Sequence, residues 1–378
     1  MADTEVIKVG VLFSQTGVTS AIESSQLCGT LFAIREINGS GGIAGRELVP
    51  ISYDPGSDPV KYRKFAEQLI LTDDVQVIFG CYMSSARKAV LPVVERWNRL
   101  LFYATLYEGF EYSENVIYTG AAPNQNSVQL ADFMTSNFGA RVYLVGSNYI
   151  YPYESNRIMS DLVSQYRGGS KLGERYVRLD ATEHDFEEIV KEIGSTRPDF
   201  IFSTVVGNAT QHFYRAYAHA GFDPASMPIA SLTTSEVEVA QMGADIAAGH
   251  FTAAPYFSSI TSSTNQACLE KFGRVFDSQT TPNASWEAAY FQVHLFAQAM
   301  LTAGSADIET LMPALLGTEF DAPQGRVSID PSTHHTNLNP RIGRVNREGQ
   351  FDVVWEAPAP IRPDPYLVTH RLGDWMVR

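Results

Sequence analysis

Residues 6–38 read VIKVGVLFSQTGVTSAIESSQLCGTLFAIREIN, and this stretch decides which fold class we predict. Its first part, 6–13, is a run of apolar and β-branched residues that is typical of a buried strand. Residues 14–17 (SQTG) form a turn. The apolar residues of 21–38 then recur at helical spacing, at Leu27, Leu31, Ile34 and Ile37. A strand, a turn and a helix in this order are the building unit of parallel α/β sheets.

The same alternation continues to about residue 249. Strands are predicted at 47–53, 75–79, 101–103, 115–119, 141–145, 174–178, 199–203 and 227–231. Helices are predicted between them at 59–72, 86–97, 126–137, 153–166, 185–193, 209–220 and 236–242. This order predicts parallel sheets covered by helices on both faces. Because there are too many strands for one comfortable sheet, we predict an α/β fold with two doubly wound lobes.

The pattern changes after residue 249. A strand at 251–255 is followed by two predicted helices, at 265–276 and 285–303. Three antiparallel strands are then predicted, at 326–329, 341–346 and 351–355. Four prolines between 358 and 365 indicate an extended tail.

Composition limits the classes of partner. The 378 residues, 44% of them hydrophobic, suffice for about two or three domains. Acidic residues outnumber basic residues 42 to 28, which gives a net charge of −14. Proteins that bind nucleic acid directly usually present a basic face. The sequence contains no Lys/Arg cluster, so we expect no direct contact with DNA or RNA and attribute the acidity to solubility.

The three cysteines and the N-terminal sequence indicate the cellular compartment in which the protein is expected. Cys28, Cys81 and Cys268 are widely spaced and form no CxxC pair, so neither a zinc site nor a redox motif is predicted. An odd number leaves at least one thiol free, which favours a reducing compartment. The N-terminus lacks the basic and apolar regions of a signal peptide. We therefore expect a cytoplasmic protein, or a periplasmic one if a leader has been removed.

Mostly polar residues follow the strands, at the edge where open α/β sheets bind ligands. In chain order these are Ser14, Gln15, Thr16; Cys81, Tyr82, Met83, Ser84, Ser85; Tyr103, Ala104, Thr105, Leu106, Tyr107; Ser147, Asn148, Tyr149, Tyr151; Thr204, Val205; and Thr233, Thr234, Ser235. A hydroxyl can donate to the C=O group of a neutral amide or accept from its NH₂ group. A charged ligand would instead prefer a charged partner. The pattern favours a small neutral polar ligand. The alternative is that these side chains only cap helices and bond the backbone.

No sequence motif supports an enzyme. The GxSxG, GxxxxGK[ST] and HExxH motifs do not occur. Residues 39–44 (GSGGIA) match GxGxxA, but they follow a predicted helix, the reverse of a dinucleotide-binding turn. His334 and His335 lack metal-ligand spacing, and Glu108, a candidate general acid, is better interpreted as a structural carboxylate. We predict no catalytic residue, no cofactor and no metal.

A set of longer motifs runs in order along the chain. They are GCYMS (80–84), RKAVLPVVE (87–95), YEGFEY (107–112), APNQ (122–125), YIYP (149–152), FSTVVG (202–207), SLTTSE (231–236), APYF (254–257), DAPQG (321–325) and IRPDP (361–365). With them the chain resembles, from about residue 6 to 374, the aliphatic amidase expression-regulating proteins, the amide sensors of the AmiC type. It is similar, more loosely, to the urea and short-chain amide binding proteins of ABC transporters.

The resemblance implies a type I periplasmic-binding-protein fold, like that of the leucine/isoleucine/valine-binding proteins, in which the chain crosses three times between lobes. One lobe is expected at 1–122 plus 255–330 and the other at 123–254 plus 331–378. The ligand would be enclosed in a cleft by hinge closure. The ligand-binding residues that the resemblance implies are Tyr82, Ser84, Tyr103, Thr105, Tyr149, Tyr151, Thr204, Val205 and Thr233.

The resemblance also implies a function. The ligand would be a small neutral amide such as acetamide, propionamide or urea, and its binding would release an RNA-binding antiterminator protein that controls amidase expression. The alternative is a receptor that delivers urea or a short-chain amide to an ABC permease. Residues 104–109 read ATLYEG where the amide sensors have PTPYEG, so Leu106 leaves the size of the ligand open. Whether the chain forms a homodimer is open too.

Overall fold

The computed structural model describes residues 6–165, 168–276 and 280–368, and in these ranges strands and helices alternate as predicted. The strands are β1 (Ile7–Leu12), β2 (Leu48–Tyr53), β3 (Val77–Gly80), β4 (Leu100–Tyr103), β5 (Val116–Tyr118), β6 (Arg141–Ser147), β7 (Ser170–Val177), β8 (Phe200–Thr204), β9 (Ile229–Ser231), β10 (Phe251–Ala254), β11 (Glu319–Ala322), β12 (Gly325–Ile329), β13 (Thr336–Asn337), β14 (Arg341–Val345) and β15 (Phe351–Glu356). The α-helices are α1 (Ser20–Gly39), α2 (Pro59–Leu71), α3 (Ser84–Arg96), α4 (Ser127–Asn137), α5 (Ile150–Gln165), α6 (Glu187–Thr196), α7 (Ala209–His219), α8 (Glu236–Met242), α9 (Ala244–Ala247), α10 (Ser263–Val275), α11 (Ala284–Ala303) and α12 (Ile308–Leu315).

The described chain forms two compact units. The first lies within Met1–Leu106, Glu111–Ala121 and Thr261–Leu338. The second lies within Tyr107–Phe110, Ala122–Ile260 and Asn339–Arg378. The lobe ranges predicted from the sequence stay a prediction, and the compact units differ from them at 107–110, 122, 255–260 and 331–338.

Local pairing accounts for two of these differences. β13 pairs with β12, so the segment before Leu338 stays with the first unit. The main-chain N–H of Phe110 donates to the carbonyl of Pro365 at 2.9 Å, which joins residues 107–110 to the C-terminal segment of the second unit.

The first unit is built on a parallel sheet of order β2-β1-β3-β4-β5, as far as the described residues show. β1 lies between β2 and β3, and all of its residues except Lys8 are buried. A strand that is covered on both faces needs apolar residues at nearly every position, which is why β1 lacks alternation. A small antiparallel sheet of order β11-β12-β13 belongs to the same unit.

Two long helices of the first unit, α1 and α11, pack closely. A Cβ atom built on Gly29 of α1 would lie 2.3 Å from the carbonyl oxygen of Trp286 in α11, so only glycine allows this approach. Phe32 of α1 then stacks on Trp286 and Tyr290, with ring centroids 6.0 and 5.4 Å apart. The contact buries aromatic surface in the core of this unit.

The second unit is built on a mixed sheet of order β15-β14-β10-β9-β8-β6-β7 within the described ranges. Its strands β6 to β10 pair in parallel, and β14 and β15 add two antiparallel strands at one edge. Both units therefore confirm the predicted doubly wound α/β class, with helices on the sheet faces.

Several elements were not predicted from the sequence. α12 was missed because Pro313, a residue that disfavours helix interiors, lies within it. β13 has only two residues, too few for a pattern. The helix predicted at 153–166 begins earlier, at Ile150, and its predicted last residue, Tyr166, lies outside the described residues.

Candidate functional site

Four predicted ligand-binding residues of the first unit lie at the carboxyl ends of two neighbouring strands. Tyr82 and Ser84 follow β3, Tyr103 ends β4, and Thr105 comes two residues later. Because β3 pairs with β4 in parallel, these ends meet at one edge of the sheet. All four side chains are buried. The structure thus brings these four residues together within the first unit.

Hydrogen bonds join the two strand ends. The hydroxyl of Tyr103 donates to the carbonyl oxygen of Tyr82 at 2.6 Å, and that of Thr105 donates to the carbonyl of Cys81 at 3.4 Å. Cys81 itself has a φ of 69°, in the left-handed region that non-glycine residues rarely adopt. The turn after β3 thus combines an uncommon conformation at Cys81 with hydrogen bonds from two residues that were predicted to contact the ligand.

The charged groups beside this edge are paired. Arg87 of α3 is fully buried, donates to the hydroxyl of Ser84 at 3.2 Å and forms an ion pair with Glu111 at 2.7 Å. Lys88 contacts the other carboxylate oxygen at 3.0 Å. Burial alone would raise the pKa of Glu111, but the charges and hydrogen bonds of Arg87 and Lys88 outweigh it and lower the pKa to about 2. The arginine is thus neutralised by protein groups.

A second buried carboxyl group, Glu23 of α1, anchors the end of β1. It accepts hydrogen bonds from the main-chain N–H of Ser14 (2.7 Å), the hydroxyl of Thr19 (2.6 Å) and the hydroxyl of Tyr62. Desolvation is the largest effect on this group and raises its pKa to about 7, despite these hydrogen bonds. Near neutral pH, Glu23 therefore carries its proton for a substantial part of the time.

A buried amide, Gln26, also reaches this edge and was not among the predicted site residues. Its Nε2 atom donates to the carbonyl of Ala104 at 3.0 Å and to the hydroxyl oxygen of Thr105 at 2.9 Å. The sequence signal that could have found it is the polar series Glu23, Gln26 and Thr30, which lies at helical spacing within α1 and is buried.

The five predicted ligand-binding residues of the second unit lie at three neighbouring strand ends. Tyr149 and Tyr151 follow β6, Thr204 ends β8 and precedes Val205, and Thr233 follows β9. The sheet order β9-β8-β6 makes these ends adjacent. Tyr149 is half-buried and the other four are buried. The rings of Tyr149 and Tyr151 lie 6.2 Å apart.

The threonine hydroxyls at this edge donate to protein acceptors. Thr204 donates to Oδ1 of Asn156 at 2.9 Å, and Thr233 donates to the carbonyl of Val205 at 2.9 Å. A hydroxyl has one proton and two lone pairs. With the protons committed to these contacts, both oxygens retain acceptor capacity, which suits a ligand that carries N–H groups.

The histidines and cysteines that the sequence analysis considered as metal or redox candidates lie in other surroundings. His334 and His335 are buried, and His335 stacks on Tyr118 with ring centroids 4.2 Å apart. Burial lowers the pKa of His335 to about 4, so it packs as a neutral ring. Cys28, Cys81 and Cys268 form no disulfide. Within the described ranges, no group of three or more His, Cys, Asp or Glu side chains is arranged to hold a metal ion.

No helix in the described part of the chain is both long enough and apolar enough to cross a membrane.

Comparisons with known proteins agree with this architecture. The Leu/Ile/Val-binding protein homolog 6 of Brucella melitensis is 23% identical over 346 residues, which cover 89% of this chain and 87% of that protein. A solute binding protein of an ABC transporter from Rhodopseudomonas palustris, solved in complex with 3,4-dihydroxybenzoic acid, is 22% identical with a TM-score of 0.85. That superposition covers 95% of this chain and 99% of the other, and at this identity it shows the fold alone.

A third similarity is local. A limonene hydroxylase of Geobacillus stearothermophilus is 29% identical over 133 residues, 35% of this chain. This chain spans 24% of the length of that relative, so hydroxylase activity does not carry over.

The family whose description is "Periplasmic binding protein domain" matches residues 7–372, nearly the whole chain. Such a family gives no support to the cytoplasmic location expected from the sequence. It agrees with the prediction that the chain binds a ligand and is not an enzyme. The narrower resemblance to amide sensors goes beyond this match. The chain therefore belongs to the periplasmic binding protein domain family, with the type I fold of the leucine/isoleucine/valine-binding proteins.

Proposed function

We propose that this protein is the solute-binding receptor of an ABC transporter and that its solute is a small neutral molecule with N–H groups, such as a short-chain amide or urea. The strand-end residues of each unit contact that solute: Tyr82, Ser84, Tyr103 and Thr105 in the first, and Tyr149, Tyr151, Thr204, Val205 and Thr233 in the second. A receptor of this kind works with a membrane permease as its partner.

The observation that carries the proposal is the chemistry of the two sheet edges. In the first unit, the buried guanidinium of Arg87 is neutralised by Glu111. In the second, Thr204 and Thr233 already donate their hydroxyl protons within the protein and offer lone pairs. A carboxylate or an amino-acid zwitterion prefers charged partners, which offset its desolvation, whereas a neutral amide does not need them. The solutes in the relatives' names, branched-chain amino acids and a dihydroxybenzoate, therefore differ from the one proposed here.

The proposal is tested by thermal-shift and calorimetric titration with a panel of solutes. The panel contains acetamide, propionamide, butyramide and urea, together with leucine and 4-hydroxybenzoate. We expect binding in the micromolar range for at least one neutral amide or urea, without turnover, and no binding of the two ionised solutes. Tight binding of leucine or 4-hydroxybenzoate alone would contradict the proposed solute class.

A second candidate function is favoured by the motifs at 80–84, 107–112 and 231–236, which resemble those of amide sensors. In this alternative the amide-free protein holds an RNA-binding antiterminator protein inactive. Deletion of the gene separates the two functions. Loss of uptake of radiolabelled amide supports the transport receptor, whereas amidase expression that no longer depends on amide, with uptake unchanged, supports the sensor.

A further inference from the structure

Gln26 lies where helix α1 meets the end of strand β4. It is fully buried, and its Nε2 atom contacts the Ala104 carbonyl at 3.0 Å and the Thr105 hydroxyl at 2.9 Å. α1 follows β1, and β3 separates β1 from β4 in the sheet. The side chain therefore contacts the end of β4, which is adjacent in the sheet to the strand that precedes Tyr82 and Ser84.

The orientation of the Gln26 amide is fixed by its neighbour. The Ala104 carbonyl is only an acceptor, so the amide must present its NH₂ group there and turn Oε1 away. Oε1 is buried and has no hydrogen-bond partner in the protein. Buried acceptors without partners are uncommon in native proteins because desolvation makes them costly. Within the described residues, Oε1 thus keeps an acceptor position that no donor of the chain fills.

We propose that Gln26 determines solute specificity, with Oε1 accepting a hydrogen bond from an N–H group of the solute. This inference rests on the proposed function, since it adds one contact to the solute proposed there. Nε2 at the same time donates to the hydroxyl oxygen of Thr105. One side chain would therefore hydrogen-bond the solute and also orient a predicted ligand-binding residue. A solute of the same shape without an N–H group leaves Oε1 unsatisfied and is rejected.

The test compares acetamide with acetone, which has nearly the same shape but a methyl group in place of the NH₂ group. Both are titrated by calorimetry into the wild-type protein and into Gln26→Met, which removes the amide at similar volume. We expect the wild type to bind acetamide more tightly than acetone. In the variant, the ratio of the two dissociation constants should shrink about 3–10-fold. A merely structural role would weaken the binding of both solutes equally and leave the preference unchanged.

Gln129 offers a matched control. It is also a buried glutamine whose Nε2 atom donates to a carbonyl, that of Asn124 at 2.9 Å, and its Oε1 has no protein partner. It lies in α4 of the second unit, in a groove with Phe133 and Trp355, and not at a strand end. Gln129→Met should leave the acetamide preference of the wild type intact. An equal loss in both variants would overturn the proposal for Gln26.

A measurement on the wild type covers the case in which Gln26→Met does not fold. With ¹³C-labelled glutamine, the Cδ resonance of Gln26 should shift on saturation with acetamide and move little with acetone, while that of Gln129 stays in place. No shift, despite binding, would overturn this inference alone and would indicate a water molecule as the partner of Oε1. A wild type that binds no neutral amide would overturn it together with the proposed function.

Discussion

The Nε atom of Arg87 lies 2.7 Å from Oε1 of Glu111, and the guanidinium group stands 4.7 Å from the ring centroid of Tyr103. One buried cation thus connects the carboxylate, a predicted ligand-binding aromatic ring and the hydroxyl of Ser84. This pairing offsets the charge of the buried guanidinium beside the strand ends of the first unit, which is the physical basis for expecting an uncharged solute.

Removal of the carboxylate charge should destabilise the protein strongly. Glu111→Gln removes the carboxylate charge that pairs with the fully buried Arg87 at 2.7 Å, and we expect a loss of about 3–5 kcal/mol in the free energy of unfolding, measured by urea denaturation. The exposed pair of Arg63 and Glu67 provides the control, since Glu67→Gln should cost less than about 1 kcal/mol. Equal costs at both positions would contradict the role assigned to the buried pair.

The buried carboxyl of Glu23 predicts a pH dependence of stability. Its pKa in the folded protein is about 7, above the 4.5 of the unfolded chain, so the folded state binds the proton more tightly. The resulting stabilisation is complete below pH 4.5 and is lost as the pH rises through 7. Between pH 4.5 and 8 the wild type should therefore lose roughly 3 kcal/mol relative to Glu23→Gln.

The check is urea denaturation of both proteins across that pH range. Glu236, whose pKa burial also raises to about 7, is present in both and its effect cancels in the comparison. Parallel stability curves for the two proteins would show that Glu23 does not titrate as described.

The close approach of α1 and α11 gives a packing prediction. Gly29→Ala would place a Cβ atom 2.3 Å from the Trp286 carbonyl oxygen and should cost about 1–3 kcal/mol, measured by thermal denaturation. Gly39→Ala, at the end of the same helix, has no atom within 4 Å of the new Cβ. That control should be neutral or slightly stabilising. A harmless Gly29→Ala substitution would mean that the helices are less closely packed.

A threonine pair tests the strand-end residues of the second unit. Thr233→Val removes an oxygen predicted to accept from the solute, and we expect amide affinity to fall about 3–10-fold in calorimetric titration. Thr135→Val is the control, because Thr135 is also buried and its hydroxyl donates to a carbonyl, that of Ala131 at 2.7 Å, within helix α4. Unchanged affinity in Thr233→Val would remove that residue from the binding site.

The sequence predicted the parallel sheets because the apolar runs at 6–13, 75–79 and 199–203 had lengths and flanking turns that distinguish buried strands from helices. α12 was missed because Pro313 argues against a helix locally, and tertiary packing outweighs that preference.

For the candidate site, the rule that ligands bind at strand ends led directly to Ser84, Thr105 and Thr204. It could not find Glu23, Gln26 or Arg87, because these residues reach the same sheet edge from helices. Only the packing of α1 and α3 against the sheet shows which side of each helix is buried there. Their contacts depend on three-dimensional proximity between residues that are far apart in the sequence.

The most direct test of the central claim is calorimetric titration of the wild-type protein with acetamide and with acetate, which differ mainly in charge and in N–H groups. Our account predicts micromolar binding of acetamide and at least about 100-fold weaker binding of acetate, because the buried guanidinium of Arg87 is already paired with Glu111. Preferential binding of acetate would contradict it and would indicate that Arg87 exchanges Glu111 for a ligand carboxylate.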